Sequence, residues 1–161
     1  MSKSSAAVKL TYPLPVYNYR VTILDNHIPY ILGFSEVSGL GVSYEPVTYK
    51  HGLSFLMGDK IIPGMRQPIK LTLKKGLTVY GDFLQAWFNR CYLQPWLPSS
   101  KCDIVVDLCD ELGLPVIRWK LIQALPTKLE APTLTASSNE VAIASMELIA
   151  ADLTADYHPL L

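Results

Sequence analysis

The six residues Ile69-Lys-Leu-Thr-Leu-Lys74 alternate apolar and polar side chains without a break, and no other stretch limits the fold so tightly. Successive side chains of a β-strand point to opposite faces, so Ile69, Leu71 and Leu73 share one face while Lys70, Thr72 and Lys74 share the other. A strand of this kind lies in a sheet with one buried and one wet face. Tyr17–Leu24 repeats the pattern, with Tyr17, Tyr19, Val21 and Ile23 set against Asn18, Arg20, Thr22 and Leu24. In Asp103–Leu108, Asp103, Val105 and Asp107 oppose Ile104, Val106 and Leu108. The apolar run Ile28–Phe34 and the strands Val42–Tyr49, Val116–Ala124 and Glu140–Ala150 complete the β content. Asp25-Asn26 and Asp110-Glu-Leu-Gly113 supply turn signals, and Pro46 marks an edge or a bulge.

One segment has the other periodicity. Across Val79–Cys91, the residues Phe83, Leu84, Trp87, Phe88 and Cys91 recur at helical spacing, with Asp82, Gln85, Asn89 and Arg90 on the opposite side. Pro95 and Pro98 stop this helix, and Pro126–Ser138 reads as a linker before the last strand. The apolar stripe around Trp87 must bury against a sheet, and closing that sheet would remove its edges. The expectation is therefore a mainly β (α+β) fold: a small antiparallel β-barrel with one packed α-helix. It forms a single domain over residues 1–161, with a flexible N-terminal arm over about residues 1–10.

Lys50–Gly64 does not fit the usual character of a connection. It holds three glycines and a proline, as loops do, but also Leu53, Phe55, Leu56, Met57, Ile61 and Ile62. Left bare, this group is an aggregation hazard. Such a segment either folds back over its own barrel or, as favoured here, leaves the barrel as a hairpin or long loop and packs on a neighbouring subunit, with Gly52 and Gly58 permitting the bends and Pro63-Gly64 returning the chain.

Composition points the same way. Only 17% of residues are charged, and 14 basic and 14 acidic side chains cancel, so identical copies do not repel. Nucleic acid is excluded as a specific partner by the missing basic excess. No run is long and apolar enough for a membrane anchor, and Met1–Val8 lacks the features of a signal peptide, so the sequence predicts synthesis in the cytoplasm. Cys91, Cys102 and Cys109 are odd in number and read as reduced, small buried hydrophobes.

Residues that carry chemistry are absent as constellations. His27, His51 and His158 lie far apart and at no metal-ligand spacing. Gly39-Leu-Gly41 lacks the third glycine of a dinucleotide site. Asp103 and Asp107 share a strand face, but four residues of strand separate them by roughly 13 Å. That is beyond the roughly 5 to 9.5 Å of glycosidase carboxylate pairs. No catalytic, cofactor or metal residues emerge, and the expectation is a protein that is not an enzyme and takes no cofactor.

The order of features resembles the tail-tube protein family of contractile phages, above all the tube subunits of phage-derived extracellular contractile injection systems. The resemblance rests on Phe34-Ser-Glu-Val-Ser-Gly-Leu40, Pro63-Gly64 before Ile69–Gly76, and Asp82-Phe-Leu-Gln-Ala-Trp87. It continues through Asp103–Leu108 with Leu114–Trp119, then Ala124-Leu-Pro-Thr-Lys128 and Ser138–Ile143, so that it covers Tyr17–Leu153. It implies homo-hexameric rings that stack into a hollow inner tube, with spike, baseplate and sheath proteins as partners. The tube would belong to a phage tail-like particle released outside the cell. On that architecture Lys70, Thr72, Lys74, Asp103, Val105 and Asp107 face the lumen, and Leu53, Phe55, Leu56, Met57, Ile61 and Ile62 form a subunit interface. The apolar Lys50–Gly64 segment and the tail Tyr157–Leu161 depart from the common tube pattern, which favours the tube initiator, the first ring next to the spike. A stand-alone β-barrel ligand-binding domain, which needs a concave pocket with a few polar groups, is the alternative. A hydrolase, which needs titratable groups gathered by the fold, is a third class.

Overall fold

Residue alternation becomes layer structure in the computed structural model, which describes residues 12–79 and 83–157. The N-terminal arm, His158 and most of the apolar tail lie outside the described residues, as does Asp82. The ten strands among the described residues are β1 (Tyr19–Asp25), β2 (Ile28–Leu32), β3 (Glu36–Ser38), β4 (Tyr44–Tyr49), β5 (Lys60–Arg66), β6 (Ile69–Gly76), β7 (Cys102–Cys109), β8 (Pro115–Glu130), β9 (Ile143–Ala150) and β10 (Asp152–Tyr157). Eight of them form one antiparallel sheet in the order β2-β1-β7-β8-β9-β6-β3, with β10 also on β8. β4 and β5 pair only with each other, as a separate two-stranded sheet.

The alternation of β6 is realised as read: Ile69, Leu71 and Leu73 are buried, and they meet Leu148 and Met146 of β9 on the same face. Val21 and Ile23 of β1, Ile104 and Val106 of β7 and Leu121 of β8 continue this core. The helix Phe83–Leu93 lies over it with Leu84, Trp87 and Cys91 inward. Trp87 Nε1 donates to the Ser100 carbonyl at 2.8 Å, so the one polar atom of that buried ring is satisfied. Phe83 stacks on Tyr30 of β2 with ring centres 4.6 Å apart. Arg90, expected on the solvent side of the helix, instead grips Asp25 with two hydrogen bonds of 3.0 and 3.1 Å. That pair ties the helix to the end of β1.

The expected barrel is corrected to an open sheet. Among the described residues β2 bonds only to β1 and β3 only to β6, so the two ends of the sheet do not meet. The physical reason lies in the helix and in β8. The helix already covers the apolar face, so burial does not require closure. β8, 16 residues long, pairs with β7 and β10 along its first half and with β9 along its second. Gln123 sits at φ 53°, and the register slips there and again between Pro126 and Lys128. Both irregularities bend the strand. For the same reason the expected linker over Pro126–Ser138 begins later, since the strand carries Pro126 and runs on to Glu130. β10 is an additional strand that the sequence pattern does not announce, and β9 begins at Ile143, after the expected start at Glu140.

Candidate functional site

Two surfaces stand out: the wet face of the large sheet and the detached hairpin. Lys70, Thr72 and Lys74 stand on β6 opposite the buried Ile69, Leu71 and Leu73. The register continues their rows into β9 and β8, as Thr72–Glu147–Lys128 and Lys74–Ser145–Glu130. Lys74 Nζ meets Glu36 of β3 at 3.0 Å, and Lys128 meets Glu130 at 2.7 Å. The hydrogen bond to Glu130 raises the Lys128 pKa above its ordinary value. Opposite charges on this half of the face therefore pair, across strands for Glu36 and Lys74 and along β8 for Lys128 and Glu130.

On β7, Asp103, Val105 and Asp107 occupy the same side of the sheet, with Ile104 and Val106 buried behind them. Asp107 is 2% exposed and lies in a row with Arg20 of β1 and Arg118 of β8. Arg118 Nε reaches its carboxylate at 2.7 Å and Arg20 Nη2 at 3.2 Å. The hydrogen bond to Asp107 is the main reason that the Arg118 pKa rises. A buried carboxylate between two cations is compensated, as it must be away from water. Val105 stands in the row Thr22–Val105–Lys120–Thr154. Asp103 serves the backbone instead, since its Oδ1 accepts the N–H of Gln123 at 3.0 Å and braces the β8 bulge.

β8 and β9 stand between β6 and β7, so Lys74 and Asp107 do not meet: Lys74 pairs with Glu36 of β3, and Asp107 with Arg20 and Arg118. Arg20 and Arg118 are the partners of Asp107 that sequence reasoning missed. Alternation places Arg20 on the polar side of its strand, but cross-strand register is needed to bring the three together.

The hairpin gathers Leu53, Phe55, Leu56, Met57, Ile61 and Ile62. Its tip is a single helical turn, Ser54–Met57, built by local bonds. The His51 N–H donates to Ser54 Oγ at 2.8 Å, the Leu53 N–H donates to His51 Nδ1 at 3.1 Å, and Gly58 at φ 78° ends the turn. Lys50 and Asp59 pair across its base at 3.6 Å. Phe55, Leu56 and Met57 are 80%, 73% and 75% exposed. Ile61 and Ile62 point to opposite faces of the ribbon, beside Thr48 and Val47, and both remain exposed. The register slips between Tyr44 and Pro46, as Pro46 led one to expect.

The remaining polar groups are structural. Cys91, Cys102 and Cys109 are buried free thiols, and burial, with Asp25 next, pushes Cys102 up to about 12. His27 lies in the β1–β2 turn at φ 65° and His51 in the hairpin tip. Among the described residues no three His, Cys, Asp or Glu side chains gather as a metal site, and no helix is long and apolar enough to cross a membrane. Asp110 closes the β7–β8 turn by accepting from the Leu112 and Leu114 N–H groups, both at 2.9 Å.

A helix-backed antiparallel sheet with a charge-paired wet face is the build of a tail-tube-like protein, which is a structural class and not an enzyme class. The chain belongs to the T4-like virus tail tube protein gp19 family, whose pattern matches residues 15–154. The sheath–tube complex of an extracellular contractile injection system, PVC in the extended state, contains a similar chain. That chain is 29% identical, with a TM-score of 0.83, covering 97% of this chain and 99% of the other. A chain in the tube-terminating cap of the anti-feeding prophage is 30% identical, with a TM-score of 0.79 over 91% of this chain and 93% of that one. A chain in the baseplate of the same particle, imaged with 6-fold symmetry, is 26% identical, with a TM-score of 0.82 over 93% and 99%. No curated protein sequence matches. The protein is thus a tail-tube-like protein of contractile injection systems.

Proposed function

We propose that the chain, acting as one unit over residues 1–161, builds the inner tube of such a particle as six-membered rings stacked around an open channel. The observation that carries this reading is the wet face itself. It runs across the sheet, it is backed by core behind β1, β6, β7, β8 and β9, and Arg20, Arg118 and Asp107, Lys74 and Glu36, and Lys128 and Glu130 pair on it within the subunit. A wall of this kind is hydrophilic without a strong field of either sign, which suits a conduit. Lys70, Thr72, Lys74, Asp103 and Val105 then line the lumen, with Asp107 on the same face but covered between Arg20 and Arg118. Leu53, Phe55, Leu56, Met57, Ile61 and Ile62 meet a neighbouring subunit, where burial stabilises each by roughly 1.5–3 kcal/mol. Sheath and baseplate proteins are the outer and terminal partners, by likeness to the relatives above. The particle is released outside the cell.

The test is chemical access. In the assembled tube, cysteines introduced as Thr72→Cys and Val105→Cys react with a small thiol reagent and are shielded from a bulky one, while the native thiols stay silent because they are buried. Equal access for both reagents contradicts the lumen assignment.

Within the tube we assign the subunit to the first ring beside the spike. The similar chain in the prophage baseplate supports this position, as does the unusually apolar hairpin. A first-ring subunit forms single rings on a baseplate template and does not extend alone. Long tubes grown from the pure protein identify a trunk subunit instead.

A further inference from the structure

The hairpin is joined to the rest of the molecule by two short legs. One leaves β3 through residues 39–43 and the other enters β6 through Gln67 and Pro68. Gly39 clamps the first leg: at φ 91°, a Cβ there would lie 2.0 Å from the Lys70 carbonyl oxygen. Two residues on, Gly41 has open space around it, and the legs are bridged by the Gln67 N–H donating to the Ser43 carbonyl at 2.8 Å. Between them lies an open crevice of about 640 Å³. A two-stranded ribbon with no third strand and no core contact has little to hold its direction. Among the described residues, one side-chain ion pair connects its strands to the large sheet, from Arg66 Nη2 at the end of β5 to Asp152 Oδ1 at 3.2 Å. Asp152 is well placed to hold it. It opens β10 at the point where the chain leaves β9, and its Oδ1 also accepts the Leu153 N–H at 2.9 Å, which fixes the carboxylate on its own strand.

We propose that Arg66 and Asp152 are the positioning pair that sets the angle of the β4–β5 hairpin and so presents its apolar tip in the direction assembly requires. The inference rests on the reading of the hairpin as an assembly contact. Its consequence follows from counting copies. An exposed ion pair shifts a two-state population by roughly two- to fivefold. Binding weakens in proportion to the fraction of subunits in the competent state. Where six copies must each present the arm, the formation constant of the ring falls by the sixth power of the fall in that fraction, about 60-fold where the fraction is halved. A contact that is minor in one subunit thereby becomes decisive in the ring.

The experiment uses the full chain with spin labels on Lys60→Cys, at the far end of the hairpin, and Thr154→Cys, on β10. Dipolar distance measurement on the unassembled protein is expected to give one narrow distribution. Arg66→Ala and Asp152→Asn each broaden it, with Asn retaining an acceptor for the Leu153 N–H. The exchanged pair Arg66→Asp with Asp152→Arg narrows it again, and 1 M salt broadens the parent, since roughly 3 Å of screening length removes an exposed pair. Ring yield at fixed concentration falls at least tenfold in the single variants and recovers in the exchanged pair. Single variants with the parent distribution and the parent ring yield overturn the proposal, and so does broadening that the exchange does not reverse. Serine at Phe55, Leu56 and Met57 separates the two ideas. If that variant still forms rings, the assembly role of the hairpin fails, while the distances still decide whether Arg66 and Asp152 set its angle.

Discussion

Replacing Phe55, Leu56 and Met57 together by serine strips the apolar crown from the hairpin without touching the core. The three side chains are 80%, 73% and 75% exposed, so the isolated subunit loses almost no buried area. Surface changes of this kind shift stability by about 0.5 kcal/mol or less per site. The cost falls on assembly. If a neighbour covers the tip, each side chain contributes roughly 1.5–3 kcal/mol of transfer free energy, or about 5–9 kcal/mol for three on full burial. Half of the lower figure already weakens each contact by nearly two orders of magnitude, at 1.4 kcal/mol for each factor of about ten. The assay is paired: native mass spectrometry with baseplate partners for the ring, and circular dichroism with thermal melting for the subunit. The expected result is loss of rings with a parent-like cooperative melt. A variant that melts without cooperativity shows the segment to be part of the subunit core, and a variant that forms rings at parent concentrations shows the contact to lie elsewhere. Either outcome removes the hairpin from the interface.

Three further outcomes probe the fold beneath these surfaces. Gly39→Ala places a Cβ on the Lys70 carbonyl at a positive φ, so it should lower stability by about 2–4 kcal/mol and the melting temperature by roughly 4 °C or more, while Gly41→Ala, in open space, leaves both unchanged. Asp107→Ala leaves Arg20 and Arg118 without their shared carboxylate; because both arginines are about a third or more exposed and can turn to water, the loss in a denaturant melt is about 1–2 kcal/mol. Cys102 has its pKa raised from 9.0 to about 12 by burial and then by Asp25, so the folded state holds its proton more tightly than the unfolded state. Its contribution is complete below about pH 9 and is lost as the pH climbs toward 12, on the order of 4 kcal/mol at 1.36 kcal/mol for each unit of about three. Cys102→Ala should flatten this alkaline limb relative to the parent in melts between pH 8.5 and roughly 11, and an unchanged slope contradicts the burial argument.

Local pattern carries far where one face of an element is buried and one is wet. Ile69, Leu71, Leu73, Val21, Ile23, Ile104 and Val106 are buried on the face that the alternation assigned to the core, whereas Tyr17, which precedes β1, is exposed. The helical stripe delivers Leu84, Trp87 and Cys91 to the core. Reading fails where the outcome depends on partners distant in sequence. Nothing in Pro126–Glu130 reveals that a proline can continue a bent strand, because the bend is set by the pairing of β8 with β7 on one side and with β10 and β9 on the other. Arg90 lies on the polar side of its helix, and only the approach of β1 explains why it faces Asp25 instead of water. The two surfaces are legible in composition, as an apolar segment where a loop belongs and as polar faces opposite apolar ones. Their pairing rows are not, because register is a property of the assembled sheet.

Whether the wet face lines a channel is decided by an electron-microscope image of the full chain assembled with its baseplate partners. Six-membered rings with an open centre, each wall formed by the wet faces of adjoining sheets, are the expected result. A protein that stays monomeric at every concentration and never enters the particle, or a closed oligomer without a channel, would contradict it.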